Sequence, residues 1–104
     1  MTSILDTVVL PEREADGWLR RCRAEYLPGA RERGLRLERV WRSYTGPEQV
    51  AVHLLWSLPT PYDFYAMRAT AAADPSVTAF WSATDTLAHA RERRVLEEVP
   101  CDAG

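Results

Sequence analysis

Residues 4–10 (ILDTVVL) are a short run rich in β-branched side chains that stops at Pro11, and this predicts a first strand. From Pro11 the period changes. Ala15, Trp18, Leu19, Cys22 and Tyr26 recur at i, i+3, i+4, i+7 and i+11, while Glu14, Arg20, Arg21 and Arg23 fall mostly on the other side, which predicts one amphipathic helix. Glu12 and Glu14 suit the positive end of its dipole, and Pro28 and Gly29 are expected to bend or end it, with Gly34 as a later stop. Over residues 35–44 the pattern turns to period two, with Leu35, Leu37, Arg39 and Trp41 set against Arg36, Glu38, Val40 and Arg42, so a strand is expected. Thr45, Gly46 and Pro47 turn the chain into residues 48–57 (EQVAVHLLWS). That nearly continuous apolar strand is expected to be buried on both faces, in a central or interface position, and to form a hairpin with its predecessor.

Thr60, Pro61 and Asp63 read as a hydroxyl N-cap, a proline at the first helical position and a carboxylate in the first turn, so a helix runs through YDFYAMRATAAA. Asp74 and Pro75 repeat the signal and restart it, with Val77, Phe80, Trp81, Thr84 and Leu87 or Ala88 as the inner face. The second helical region is therefore broken near Asp74-Pro75. Residues 91–99 (RERRVLEEV) read either as an extension of that helix or as a last strand. Strand is preferred because Val95, Glu97 and Val99 alternate with Leu96 and Glu98, because Pro100 follows, and because three strands would leave an open flank. Residues 101–104 are expected to be a loose tail. The order strand, helix, hairpin, broken helix, strand is β-α-β-β-α-β, an α+β, ferredoxin-like arrangement with a four-stranded antiparallel sheet, in a single domain over residues 1–104.

Composition narrows the partners. A chain of 104 residues buries only part of its apolar surface alone, and its 46% apolar and 27% charged content is that of a folded domain. The net charge of −2 comes from 13 basic and 15 acidic residues that are interleaved, so there is no broad positive field and nucleic acid is not an expected partner. All the basic residues are arginine, and neither lysine nor asparagine occurs, which removes a Schiff-base lysine, a phosphate-loop lysine and an N-glycosylation site. Residues 1–10 carry Asp6 and lack both a basic start and a long apolar run, so no signal peptide or membrane partner is expected and a cytoplasmic location is. Cys22 and Cys101 stand outside any CxxC spacing and read as free thiols. Two histidines and two unclustered cysteines give no metal-ligand spacing, and GxGxxG, phosphate-loop and GxSxG motifs do not occur, so neither metal nor cofactor is expected.

Laid over that element order, the LLWSL strand, the FYAMR segment and the DP-x-x-x-x-FW that begins the second half-helix resemble the dimeric α/β-barrel superfamily, and NIPSNAP-type domains most. The resemblance covers almost the whole chain but rests mainly on packing motifs. It implies a homodimer in which the open, apolar faces of two four-stranded sheets close a dimeric α/β barrel. It also implies one ligand cleft per subunit, between the sheet and its own helices.

Such a cleft needs apolar walls and a few converging polar groups, and Trp41, Tyr44, His53, Trp56, Tyr62, Tyr65, Arg68, Trp81, Asp85 and His89 are the candidates. His53 in VAVHLLW is either a satisfied core or interface histidine or a cleft-facing acid or base, and His89 is the other proton carrier. Trp41 and Trp56 are core residues or ligand platforms. Tyr65 and Arg68 share a helix face at i and i+3, as do Trp81 and Asp85 at i and i+4. Arg68 either pairs with Asp63 or Asp74 or holds an enolate, phenolate or carboxylate; Asp85 is a solvated turn residue or part of the cleft. By analogy with antibiotic-biosynthesis monooxygenases and cyclases of similar fold, the resemblance implies a cofactor-independent monooxygenase, cyclase or isomerase. His53, Arg68 and His89 would then be catalytic, and Trp41, Trp56, Tyr65, Trp81 and Asp85 would bind a small hydrophobic or aromatic, polyketide-like or phenolic molecule. The alternative is a non-catalytic NIPSNAP-like ligand-binding or accessory module.

Overall fold

Alternation in the first apolar run gives a strand with two unlike faces. The computed structural model of the chain describes residues 2–101. In it β1 (Thr2–Pro11) buries Thr2, Ile4, Asp6, Val8 and Leu10 beneath the helices and leaves the intervening residues half-buried on the other face.

The first helix starts at Glu12 but does not stop at Pro28. α1 (Glu12–Arg21) passes into a π-helical turn at Cys22–Tyr26, and α2 (Leu27–Glu32) then carries Pro28 and Gly29 within it. The wide turn, closed by the Leu27 N–H donating to the Cys22 carbonyl, places Pro28 in the first turn of α2, where its missing N–H is of no consequence. Gly34 ends the helix as expected: with φ at +94° it lets its own N–H reach the Arg31 carbonyl at 3.0 Å and the Leu35 N–H reach that of Ala30 at 2.9 Å.

β2 (Arg36–Gly46) and β3 (Gln49–Leu58) form the expected hairpin, turning at Pro47 and Glu48. The pairing of β2 slips between Leu37 and Arg39, leaving Glu38 as a bulge. That slip corrects the simple alternation: Leu37 opposes Trp56 on the helix side, whereas Arg39 and Trp41 oppose Leu55 and His53 on the other. α3 (Pro61–Ala72) opens with a capping box between Thr60 and Asp63, and α4 (Pro75–Leu87) with Asp74 accepting from the Ser76 N–H, so the break falls where the repeated cap signal put it. The last segment is a strand, β4 (Ala90–Leu96), shorter at its end than the sequence pattern suggested. The expected tail beyond Cys101 lies outside the described residues.

The strands pair antiparallel in the order β2-β3-β1-β4, so the chain is an α+β, ferredoxin-like fold with a four-stranded antiparallel sheet. One core lies between sheet and helices. Ile4, Val8, Val52, Leu54 and Trp56 meet Ala15, Trp18, Cys22, Tyr26, Met67 and Phe80. α4 packs with Phe80 and Thr84 inward; α3 buries only Met67.

Among the described residues, no element lies over the opposite side of the sheet. Its centre is apolar at Leu5, Val9, Ala51 and Leu55, but its flanks are polar and charged, with Glu92 and Arg94 on β4 and Arg36, Glu38 and Arg39 on β2. The apolar face that the family resemblance implies is therefore a mixed one, with Trp41 of β2 and Leu96 of β4 as the apolar residues of its flanks. No helix of the described residues is long and apolar enough to cross a membrane.

Candidate functional site

β4 determines where the core stops and a cleft begins. Its helix-facing positions opposite Val8 and Asp6 are Arg91 and Arg93, whose long charged side chains cannot continue the apolar packing under α4. A cleft of about 390 Å³ opens there, floored by β1 and β4, backed by Tyr26 and walled by α3 and α4.

Its floor is held by one buried carboxylate. Asp6 accepts hydrogen bonds from Trp56 Nε1 at 2.9 Å and from Arg93 Nε and Nη2 at 2.7 and 2.8 Å. Arg93 Nη2 also donates to the Tyr26 hydroxyl at 3.2 Å. Burial works against the charge on Arg93, but its bonds to Asp6 outweigh this and push its pKa upward, so the guanidinium is a fixed cation. Tyr26 is fixed by neighbours of its own: Phe80 stacks on it at 5.2 Å and Trp81 meets it edge-on at 5.3 Å.

A second arginine sits nearer the mouth. Arg91 lies 4.9 Å over the Trp81 ring and donates from Nε and Nη2 to Asp85 at 2.5 and 3.2 Å. The hydrogen bond from Arg91 holds the Asp85 carboxyl below its ordinary pKa. Arg68, reaching in from α3, has no ion-pair partner among the described residues. Asp63 and Asp74, the carboxylates within reach in sequence, are engaged as helix caps.

Of the residues singled out from sequence, the cleft brings together Arg68, Trp81 and Asp85. Trp56 is core, reaching the site only through its N–H on Asp6. His53 and Trp41 stand side by side on the opposite face of the sheet, where Trp41 is 47% exposed. Each His53 nitrogen there has a hydroxyl neighbour, Thr7 Oγ1 on Nδ1 at 3.1 Å and Ser43 Oγ on Nε2 at 2.9 Å. Tyr65 is exposed on the outer side of α3, and His89 is exposed in the link to β4, its backbone N–H donating to the Val9 carbonyl. The cleft also takes in Asp6, Tyr26, Arg91 and Arg93, which are not among the candidates the sequence offers. The signal existed: period two in ILDTVVL places Asp6 inward with Ile4 and Val8, and in RERR it places Arg91 and Arg93 on one side. Among the described residues, no group of three or more His, Cys, Asp or Glu side chains is placed to hold a metal ion.

An antiparallel sheet in this order, with helices on one side and a cleft between, defines a ferredoxin-like α+β domain. Solved structures of the same fold include NIPSNAP proteins and antibiotic-biosynthesis-monooxygenase-type proteins. An uncharacterized NIPSNAP domain protein from Burkholderia xenovorans superposes with a TM-score of 0.74 at 22% identity, covering 98% of this chain and 96% of that one. A NIPSNAP family protein of unknown function from Agrobacterium tumefaciens gives 0.74 at 18% identity, over 98% and 91%. SnoaB, a cofactor-independent oxygenase from Streptomyces nogalater, gives 0.62 at 13% identity, over 99% and 97%. At these identities the likeness is one of fold. No family model and no curated protein matches the sequence.

Proposed function

We propose that this chain binds a small, planar, anionic molecule in the cleft between β4, α3 and α4. The observation that carries this reading is that Arg68, without an ion-pair partner among the described residues, and an indole, Trp81, line one cavity. Arg68 supplies two parallel N–H donors to a carboxylate, enolate or phenolate, and Trp81 supplies a flat apolar surface for the rest of the ligand. Arg93 is committed to Asp6 and shapes the floor; Arg91 covers Trp81 and yields its place when a ring enters.

Calorimetric titration with aromatic carboxylates and phenols, each beside a neutral amide or ether of the same shape, tests this. Arg68→Ala should weaken the anions by about 10-fold to 100-fold, the worth of a charge-assisted hydrogen bond, and leave the neutral analogues unchanged. Trp81→Ala should weaken both. Equal affinity of the wild-type chain for anion and neutral analogue would sink the proposal.

A catalytic version, a cofactor-independent monooxygenase, cyclase or isomerase acting on a polyketide-like or phenolic substrate, is favoured by one feature. The Tyr26 hydroxyl accepts from Arg93 and keeps its own proton to give to a bound enolate. In that version Tyr26→Phe lowers turnover and leaves binding intact, whereas His53→Ala, on the other side of the sheet, changes neither. Turnover that survives Tyr26→Phe and Arg68→Ala would remove both proposed roles, and ligand binding with no turnover in the wild-type chain would leave the binding module as the function.

The working unit in either version is a homodimer, the open sheet face of one copy covering that of the other. Strands of 10, 11, 10 and 7 residues make a face of roughly 600 Å² at ~4.8 Å between strands, close to the ~800 Å² per partner of a stable interface. Light scattering should give twice the chain mass, and Leu55→Asp should return it to one; a wild-type monomer at micromolar concentration would exclude this assembly.

A further inference from the structure

Arg33 stands at the C-terminal cap of α2, yet its side chain is only 5% exposed. Its Nε and Nη2 are buried and have no hydrogen-bond partner among the described residues, and Nη1 stands 3.8 Å from Asp74 Oδ2, beyond hydrogen-bond distance. The guanidinium lies instead 5.5 Å over the Tyr26 ring. Gly29 leaves room for it, since a Cβ there would stand 3.0 Å from Nη1. Sequestering these donors without acceptors is unfavourable, and a Met at this position would pack without that penalty.

Tyr26 connects this charge to the first cleft. One side chain touches both the cavity and the Arg33 guanidinium, while Arg33 itself lines no part of that cavity. Two guanidinium groups thus meet Tyr26, and they differ in what opposes them. Arg93, 3.2 Å from the hydroxyl, is matched by the buried carboxylate of Asp6 at 2.7 and 2.8 Å. Arg33 has only Asp74, whose side chain is 39% exposed, so water screens that carboxylate more than it screens the buried cation. The unbalanced part of the Arg33 charge acts on Tyr26 and, through the packed rings of Phe80 and Trp81 around it, on the cleft. A unit charge about 10 Å from an anion, at an effective dielectric constant of about 20 to 40, is worth about 4-fold to 16-fold in affinity; partial cancellation by Asp74 brings this to about 3-fold to 10-fold.

We propose that Arg33 is a specificity-determining residue of the first cleft: its buried charge, held over Tyr26, raises the affinity for an anion above that for a neutral molecule of the same shape without touching either. The proposal rests on the reading of that cleft as an anion site. Calorimetric titration of the full chain with 2-naphthoate, beside its neutral amide, tests it. Arg33→Met should weaken the carboxylate by about 3-fold to 10-fold and change the amide by less than about 2-fold. Asp74→Asn keeps an oxygen to accept from Ser76 and removes the charge opposing Arg33, so it should strengthen the carboxylate by about 2-fold, a sign that lost packing would not give. That variant decides the matter alone if Arg33→Met does not fold. Equal weakening of carboxylate and amide by Arg33→Met would make Arg33 a packing residue and overturn the proposal; so would an Asp74→Asn chain that binds the carboxylate no more tightly than wild type. A wild-type preference for the carboxylate that survives Arg33→Met unchanged refutes the role of Arg33 and leaves the anion site standing, whereas a wild type without that preference refutes both.

Discussion

Replacing Asp6 by Leu removes the carboxylate that Trp56 and Arg93 share and replaces it by a side chain of similar volume. The Trp56 indole N–H, in a residue 1% exposed, is then left without an acceptor, which costs about 1–3 kcal/mol. Arg93 loses its countercharge, a change that costs about 3–5 kcal/mol when the remaining charge is fully buried. With 29% of the Arg93 side chain exposed, part of that second cost is relieved by rotation toward water, so a total of about 4 kcal/mol is expected. A domain of this size has roughly 5–15 kcal/mol in all. With a urea dependence of ~1.5 kcal/mol per molar, the unfolding midpoint followed by Trp fluorescence should fall by about 2–3 M. Asp6→Leu combined with Arg93→Met removes both charges and should recover at least about 2 kcal/mol of the loss, because the uncompensated cation is gone. An Asp6→Leu midpoint within about 0.5 M of wild type would refute the claim that this carboxylate organises the floor of the cleft.

Burial raises the Cys22 thiol to a pKa of about 12 from 9.0, so the native chain should show one thiol, Cys101, reacting with a disulfide reagent at pH 8 and two after unfolding. Because the unfolded thiol ionises first, stability is intact below pH 9 and falls as pH rises toward 12, by roughly 4 kcal/mol in full, and Cys22→Ala should flatten that decline. Asp16, Asp74 and Asp85 all titrate below the ordinary 3.8, through hydrogen bonds from Arg42, Ser76 and Arg91 respectively; their contribution is present above that pH and lost below it, so an acid titration should show stability falling only under about pH 4. Glu48 holds a φ of +58°, where a side chain is strained, and Glu48→Gly should raise stability by about 0.5–1 kcal/mol; a lower melting temperature would show that the turn needs the glutamate.

Local chemistry made most elements readable. Gly34, the Thr60-Asp63 box and Asp74 each act where the sequence put them, since a cap needs one side chain at one position and no distant partner. Two features needed partners that a linear pattern does not name. The bulge at Glu38 is a property of the β2–β3 pair, and it turns Trp41 to the same side as His53; the alternation of β2 taken alone gives the wrong neighbour. Likewise Pro28 reads in the sequence as a bend or an end of the helix, and the π-helical turn that lets the helix continue depends on Cys22 and Tyr26 both reaching the core. In the cleft, Trp81 and Asp85 were found through helical spacing, while Asp6 and Arg93 lie far apart in the chain and are joined only by the pairing of β1 with β4. His53 was conspicuous because an imidazole interrupts an apolar strand, yet strand parity alone did not say which side of the sheet it would take.

The side it takes bears on assembly. Counted by composition, the uncovered face of the sheet is too polar to bury, with His53, Thr7, Ser43, Ser57, Glu92 and Arg94 among its residues. Counted by hydrogen bonds it is much less so, because these groups pair with one another. A neutral imidazole donates through one nitrogen and accepts through the other, and the Thr7 and Ser43 hydroxyls can meet both needs of His53. Ser57 donates to Glu38 at 2.7 Å, and Arg94 lies 2.9 Å from Glu92. A neutral polar group already satisfied within its own face does not lose a partner when water is excluded, so the penalty of covering His53, Thr7, Ser43 and Ser57 falls, while the exposed Arg94–Glu92 pair still costs the desolvation of its charges unless it stays at the rim. A face prepared in this way is suited to being covered by an identical one, since neither copy has to supply hydrogen bonds to the other and Leu5, Val9 and Leu55 are left to provide the apolar contact.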